Sequence, residues 1–264
     1  GPVMRRFESF RPSFPDTQNT PVICSHSSVR SGSTHAPEVA AAVVLAAGLG
    51  TRMKSSLPKV LHPVCGLPLV SHVLRAVAAV GAARTVVVLG HGHELVRPHL
   101  PDGCRVALQD VQRGTGHALL SAASQLPDGP LLVVPGDTPL VTPEVLLALV
   151  DGHLRSGAAA TVLSMHLADP TGYGRVVRDE TGAVRRIVEH RDASPAERAV
   201  TEVNSGMYVL PGERALAALR SVGSANAQGE IYLTDVIERL VAEGAPVGAV
   251  EIGRASCRER VSLV

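Results

Sequence analysis

From residue 39 onward the chain alternates short apolar runs with longer amphipathic segments. Residues 41–46 (AAVVLA), 85–89 (TVVVL), 106–108, 131–134 and 161–165 are compact and rich in branched side chains, which predicts five buried strands. Residues 67–80 (LPLVSHVLRAVAAV) carry apolar positions at helical spacing, with Gly81 as the stop. An Ala-rich helix is expected over 116–126. Another is expected over 143–154, with Thr142 as its cap and Pro143 in its first turn. Strands that are apolar throughout, interleaved with helices, predict an α/β fold: a doubly wound, Rossmann-like, mostly parallel sheet covered on both faces.

Past Asp169 the pattern changes. Residues 176–177 and 184–188 flank a turn at 179–182 and read as a hairpin. A strand is expected over 202–210, helices over 213–219 and 234–243 (the latter capped by Thr234), and a final strand over 247–251. The second half should therefore build a smaller mixed α/β lobe. The two ends break the pattern. Residues 1–38 are rich in Ser, Pro and Thr without periodicity and hold all three Phe residues of the chain, so they read as a disordered leader of foreign origin. Residues 252–264 share neither period nor composition with the strand before them and are expected to be a non-native tail, leaving 39–251 as the working domain.

Composition narrows the partners. Net charge is +1 and aromatic content 2%, so neither a polyanion-binding face nor stacking platforms for nucleic acid are expected. The longest apolar run, residues 40–47, falls far short of the roughly 18 residues that span a bilayer. Four cysteines (Cys24, Cys65, Cys104, Cys257) form no C-x-x-C pair, which suits a reducing cytoplasm and argues against a disulfide framework or a zinc site. His91, His93 and Glu94 lack a third ligand and read as a surface loop.

The chemistry concentrates in residues 43–59, VVLAAGLGTRMKSSLPK. A predicted strand is broken by Gly48 and Gly50, and a basic segment follows. Backbone N–H groups exposed by glycine bind anions, and nearby cations supply countercharge. Of 25 Lys and Arg residues only Lys54 and Lys59 are lysine, and both lie here. The dinucleotide fingerprint fails because Met53 stands where a third glycine is needed. The Walker loop fails because Thr51-Arg52 follows Gly50. A triphosphate cradle is the reading that remains.

The stretch L-A-A-G-x-G-T-R-M-x-S-x-L-P-K resembles the signature loop of sugar-1-phosphate nucleotidyltransferases. In particular it is similar to the N-terminal half of the bacterial bifunctional N-acetylglucosamine-1-phosphate uridyltransferase/glucosamine-1-phosphate acetyltransferase family, over roughly 39–251. The resemblance implies that UTP and N-acetylglucosamine 1-phosphate give UDP-N-acetylglucosamine and pyrophosphate, a step toward peptidoglycan and cell shape, with Mg²⁺ as cofactor in the cytoplasm. Another nucleotidyltransferase, of the molybdopterin guanylyltransferase kind, and a non-catalytic nucleotide-binding module stay open as alternatives.

Residue by residue, the resemblance makes Arg52, Lys59 and Asp137 catalytic, the last (in PGDTP, after a strand) also the metal ligand. It assigns Leu45, Ala46, Ala47, Gly48, Gly50, Thr51, Gln109, Gly114, Thr115 and Gly136 to the nucleotide. Gly174, Glu189, Asn204, Tyr173, Tyr232 and Thr234 go to the sugar, under the smaller lobe. A second metal ligand of the family, an asparagine just beyond residue 251, has no counterpart in residues 252–264, so turnover is expected to be impaired. No acetyl transfer is expected, since the family's left-handed β-helix has no counterpart here, and the family's oligomer, a trimer, is left open for this chain.

Overall fold

The computed structural model describes residues 38–50 and 53–252. Seven strands form the main path of the sheet. In chain order they are β1 (Ala41–Ala46), β4 (Thr85–Leu89), β5 (Arg105–Leu108), β6 (Pro130–Pro135), β7 (Ala160–His166), β10 (Glu202–Pro211) and β11 (Val247–Glu251). Two-residue strands β2 (Pro63–Val64) and β3 (Leu67–Pro68) pair in a separate hairpin, while β8 (Arg175–Arg178) and β9 (Val184–Val188) hang from β10. The order across the sheet is β11-β7-β10-β6-β1-β4-β5.

Strand alternation builds two cores from one sequence pattern. Val43, Val86, Val88, Leu131 and Val133 face one layer of helices: α3 (Thr115–Ser121), α6 (Gly212–Ser221) and α7 (Asp235–Ala242). Val44, Val87, Leu89, Leu132 and Val134 face the other layer, α1 (Leu69–Ala78) and α4 (Pro143–Ser156). Because both faces are covered, the strands are apolar throughout, as the sequence predicts. Thr142 caps α4, accepting from the Val145 amide at 3.4 Å, and Gly157 ends it in the left-handed region.

Three expectations are corrected. The helix expected over 67–80 begins at Leu69, because Leu67 and Pro68 pair with Val64 and Pro63 across a Cys65-Gly66 turn. Thr234 makes no side-chain cap on α7; its hydroxyl donates elsewhere. The smaller lobe is confined to β8, β9 and the short α5 (Pro195–Arg198), since β10 and β11 both return to the main sheet.

The path of β10 has a plain cause. β7 delivers the chain beyond the carboxyl ends of the parallel strands, the β8–β9 excursion stays there, and the returning strand must run downward. β10 is accordingly antiparallel to both β6 and β7. A register shift between Asn204 and Tyr208, with Gly206 at φ +82°, bends it where it passes the cavity described below.

Candidate active site

β1 is flanked by β4 on one side and β6 on the other, both parallel to it. Chain direction across the sheet reverses there, and a crevice opens outside the carboxyl ends, where ligands of doubly wound sheets bind. A cavity of about 590 Å³ occupies this place.

One wall is the glycine loop. Leu45, Ala46, Ala47, Gly48, Leu49 and Gly50 line the cavity directly after β1. Gly50 has φ +61°, and a Cβ there would lie 2.7 Å from the Lys59 Cβ, so no other residue fits without displacing the lysine. Gly48 has open space instead, so its lack of a side chain leaves room for a ligand. Pro58 leads into a single 3₁₀ turn, Lys59–Leu61, which aims Lys59 back across the loop. Thr51 and Arg52, assigned to nucleotide and catalysis, lie outside the described residues.

Asp137 follows β6 in the turn after Gly136, whose amide is held by the Leu45 carbonyl at 2.8 Å. Gly136 does not line the cavity; it fixes the neighbour that does. Lys59 Nζ is ion-paired with Asp137 Oδ2, and both side chains are about one-third exposed.

On the next wall, Gln109 is buried. Its amide nitrogen donates to the Gly114 carbonyl at 3.1 Å and lies 3.0 Å from His117 Nδ1, which leaves its carbonyl oxygen as the acceptor on offer. Gly114 has φ +98°, and a Cβ there would meet the Ile231 carbonyl at 2.6 Å. That close approach clips segment 113–116 to 231–233. Ile231 donates to Arg113 at 2.7 Å, Gly116 donates to Ile231 at 2.8 Å, and the Leu233 amide donates to Thr115 Oγ1 at 3.1 Å.

The far wall carries Tyr173, Gly174, Glu189, Asn204 and Thr234. Thr234 Oγ1 donates to Glu189 Oε1 at 3.3 Å. Burial raises the Glu189 carboxyl above its ordinary range, partly countered by the Thr234 bond and reinforced by the charges of Asp192, Asp235 and Glu230. The Asn204 amide is engaged at home: Oδ1 accepts from Gly206 at 3.0 Å and Nδ2 donates to the Tyr208 hydroxyl at 2.6 Å. Burial pushes the Tyr208 hydroxyl upward, so it stays protonated.

Tyr232 is a correction. Its ring is buried away from this cavity, and its hydroxyl donates to Asp192 at 3.2 Å and accepts from Gln228 at 2.8 Å, on the wall of a neighbouring hollow. Sequence reasoning also missed Gln112, whose side chain donates to the Ala47 carbonyl and ties the wall that carries Gln109 to the glycine loop. Glu230 lines the cavity as well. Neither has a motif of its own; only the clip between 113–116 and 231–233 brings Glu230 in. His93 and Glu94 pair with each other at 3.0 Å. Among the described residues no three His, Cys, Asp or Glu side chains converge as a metal cluster.

The family model described as the MobA-like NTP transferase domain matches residues 42–242, the span that carries the sheet and the cavity. The chain belongs to the MobA-like NTP transferase family. Curated relatives narrow its neighbourhood. It is 50% identical over 212 residues to the bifunctional protein GlmU of Geobacillus thermodenitrificans, covering 80% of this chain and 46% of that one. Against the bifunctional protein GlmU of Halalkalibacterium halodurans it is 51% identical over 210 residues, covering 79% and 46%. The chain thus spans about half the length of the curated relatives it matches. In fold it is similar to a UDP-glucose pyrophosphorylase solved with UDP-glucose, with a TM-score of 0.69 over 81% of this chain and 91% of the other at 17% identity. Family members are nucleotidyltransferases that generally draw on a divalent metal. No helix among the described residues is long and apolar enough to cross a membrane.

Proposed function

We propose that this chain transfers the uridylyl group of UTP to N-acetylglucosamine 1-phosphate in the cytoplasm. A phosphate oxygen of the sugar phosphate attacks the α-phosphorus of UTP. The bond between the α-phosphorus and its bridging oxygen breaks, and pyrophosphate leaves with that oxygen. The observation that supports this most is the joining of three walls in one hollow: Gln109, Gly114 and Thr115 for a base, the glycine loop with Lys59 and Asp137 for phosphates, and Gly174, Glu189 and Thr234 for a sugar. Identity of about 50% to relatives named GlmU favours this pairing over the molybdopterin guanylyltransferase alternative.

Both substrates are polyanions, so positioning and countercharge account for most of the catalysis. Glycine-loop amides hold the phosphates, and Lys59, together with Arg52, balances the charge that grows on the leaving pyrophosphate. The Gln109 carbonyl oxygen accepts from a uracil N–H. Glu189 accepts from sugar hydroxyls, most strongly in its ionised form, in which both carboxylate oxygens are acceptors. Mg²⁺ fits Asp137, a hard-oxygen donor beside the phosphate loop, because this ion is commonly held by one or two carboxylates with phosphate oxygens and water completing its shell. When bound it neutralises phosphate charge. Pyrophosphate release with UTP, Mg²⁺ and the sugar phosphate tests the reading; release that requires GTP instead of UTP would overturn it.

A further inference from the structure

Arg175, the first residue of β8, is only 1% exposed and heads the largest fully buried side chains of the molecule. A guanidinium removed from water is costly unless a carboxylate answers it. Here its hydrogen-bond partners are two backbone carbonyls and a histidine ring, and the exposed carboxylate of Asp169 acts on it only through space. Nη1 donates to the Tyr173 carbonyl; Nη2 donates to the Arg198 carbonyl at 3.4 Å and lies 3.4 Å from His190 Nδ1. Nε is buried with no hydrogen-bond partner among the described residues. Such an arrangement is poor value as a stabilising device, because an apolar side chain of similar volume would avoid the desolvation cost.

What the three contacts share is position. Tyr173 precedes Gly174, His190 follows Glu189, and Arg198 ends the turn that leads into β10 and Asn204. Two of the contacts therefore sit next to a group on the far wall of the cavity, and the third lies in the segment that leads to one. The planar fork of an arginine can hold several carbonyl directions at once, which an ammonium cannot. Gly174 is fixed from its other side too, its carbonyl accepting from the backbone N–H of Asn204 at 2.9 Å.

We infer that Arg175 is a positioning residue for the sugar phosphate: its buried guanidinium pins three separate segments so that the far wall is set before the ligand arrives. This rests on the uridylyl-transfer reading above. Arg175 touches no substrate and acts through Tyr173, His190 and the chain around Arg198.

The test compares Arg175→Met and Arg175→Lys with the unaltered chain, reading kcat, KM for each substrate, UTP affinity by calorimetry and the melting temperature. In the Met variant KM for N-acetylglucosamine 1-phosphate is expected to rise on the order of 10- to 100-fold, the scale of a misplaced binding group. UTP affinity should stay within about twofold, and the Lys variant should recover part of the sugar KM, since an ammonium can reach one of the three contacts but not all of them. An unchanged sugar KM in a folded variant, or both affinities falling together with the melting temperature, would overturn the proposal. Should the Met variant fail to fold, the Lys variant decides, and a wild-type sugar KM there is equally fatal. An unaltered chain that binds UTP yet releases no pyrophosphate overturns the transfer reading and the proposal with it, which separates that failure from a failure of Arg175 alone.

Discussion

Lys59 and Asp137, 78 residues apart in the chain, are ion-paired where the sheet reverses its direction of winding. Each is only partly buried, so the pair contributes little to stability, about 1 kcal/mol or less. In the proposed uridylyl transfer its weight lies in catalysis. Lys59→Ala should lower turnover on the order of 10²- to 10³-fold, the usual loss when one preorganised donor is removed. Asp137→Asn should make turnover insensitive to added Mg²⁺ at a much reduced level. Pyrophosphate release and thermal melts check both, and a large drop in melting temperature for either variant would reassign the pair to the scaffold.

Gly48 and Gly50 should separate cleanly under substitution. At Gly50 an alanine meets Lys59 at 2.7 Å and must hold φ +61°, so a loss of about 1–2 kcal/mol is expected together with lower activity. At Gly48 an alanine has open space, so the melting temperature should not move while UTP affinity weakens as the methyl group enters the cavity. Calorimetry and melting curves on the two variants distinguish these outcomes.

Sugar binding should carry an acid limb. Burial raises Glu189, so its ionised form is lost at a higher pH than for an ordinary carboxylate. KM for the sugar phosphate is expected to climb as pH falls through that raised value, with KM for UTP unaffected. Glu189→Gln should flatten the limb, and Thr234→Val, which removes the donor that holds the carboxyl down, should shift it to higher pH. A sugar KM independent of pH in the unaltered chain would remove Glu189 from the site.

Asp235 bears on stability instead. Burial, then the charges of Glu238 and Asp192, raise its carboxyl to about 6. Because the folded value lies above the unfolded one, its contribution is fully present below about pH 4 and is lost as pH rises through about 6. Asp235→Asn should therefore raise the melting temperature at pH 7 by a degree or two (about 0.5 kcal/mol after allowance for solvent screening), and the gain should vanish at pH 4. Melts at the two pH values decide it.

How much of this was legible beforehand depended on how local the cause was. β1 and β4 match their expected ends because a run of branched apolar residues covered on both faces has one way to be satisfied. The start of α1 was misplaced since pairing of Leu67 with Val64 competes with helix over the same residues, and pattern alone does not weigh that pairing. Tyr232 and Thr234 stand two residues apart and go to the sugar by the same resemblance, yet Thr234 faces the cavity and Tyr232 the hollow behind it. The clip from Ile231 to Arg113 and Gly116 sets that orientation, and it is a contact of more than 100 residues' separation.

The sequence by itself determined most of the elements, the winding of the sheet and the place of the glycine loop after the first strand, because periodicity and glycine act within a few residues of one another. Only the tertiary structure decided which distant groups share the hollow: the pairing of Lys59 with Asp137, the descent of β10 through the sheet, the entry of Gln112 and Glu230, and the burial of Arg175. The reason is physical. Burial and juxtaposition are set by how layers close over one another, and a pattern of apolar and polar positions records which face a residue takes, not what waits on the other side.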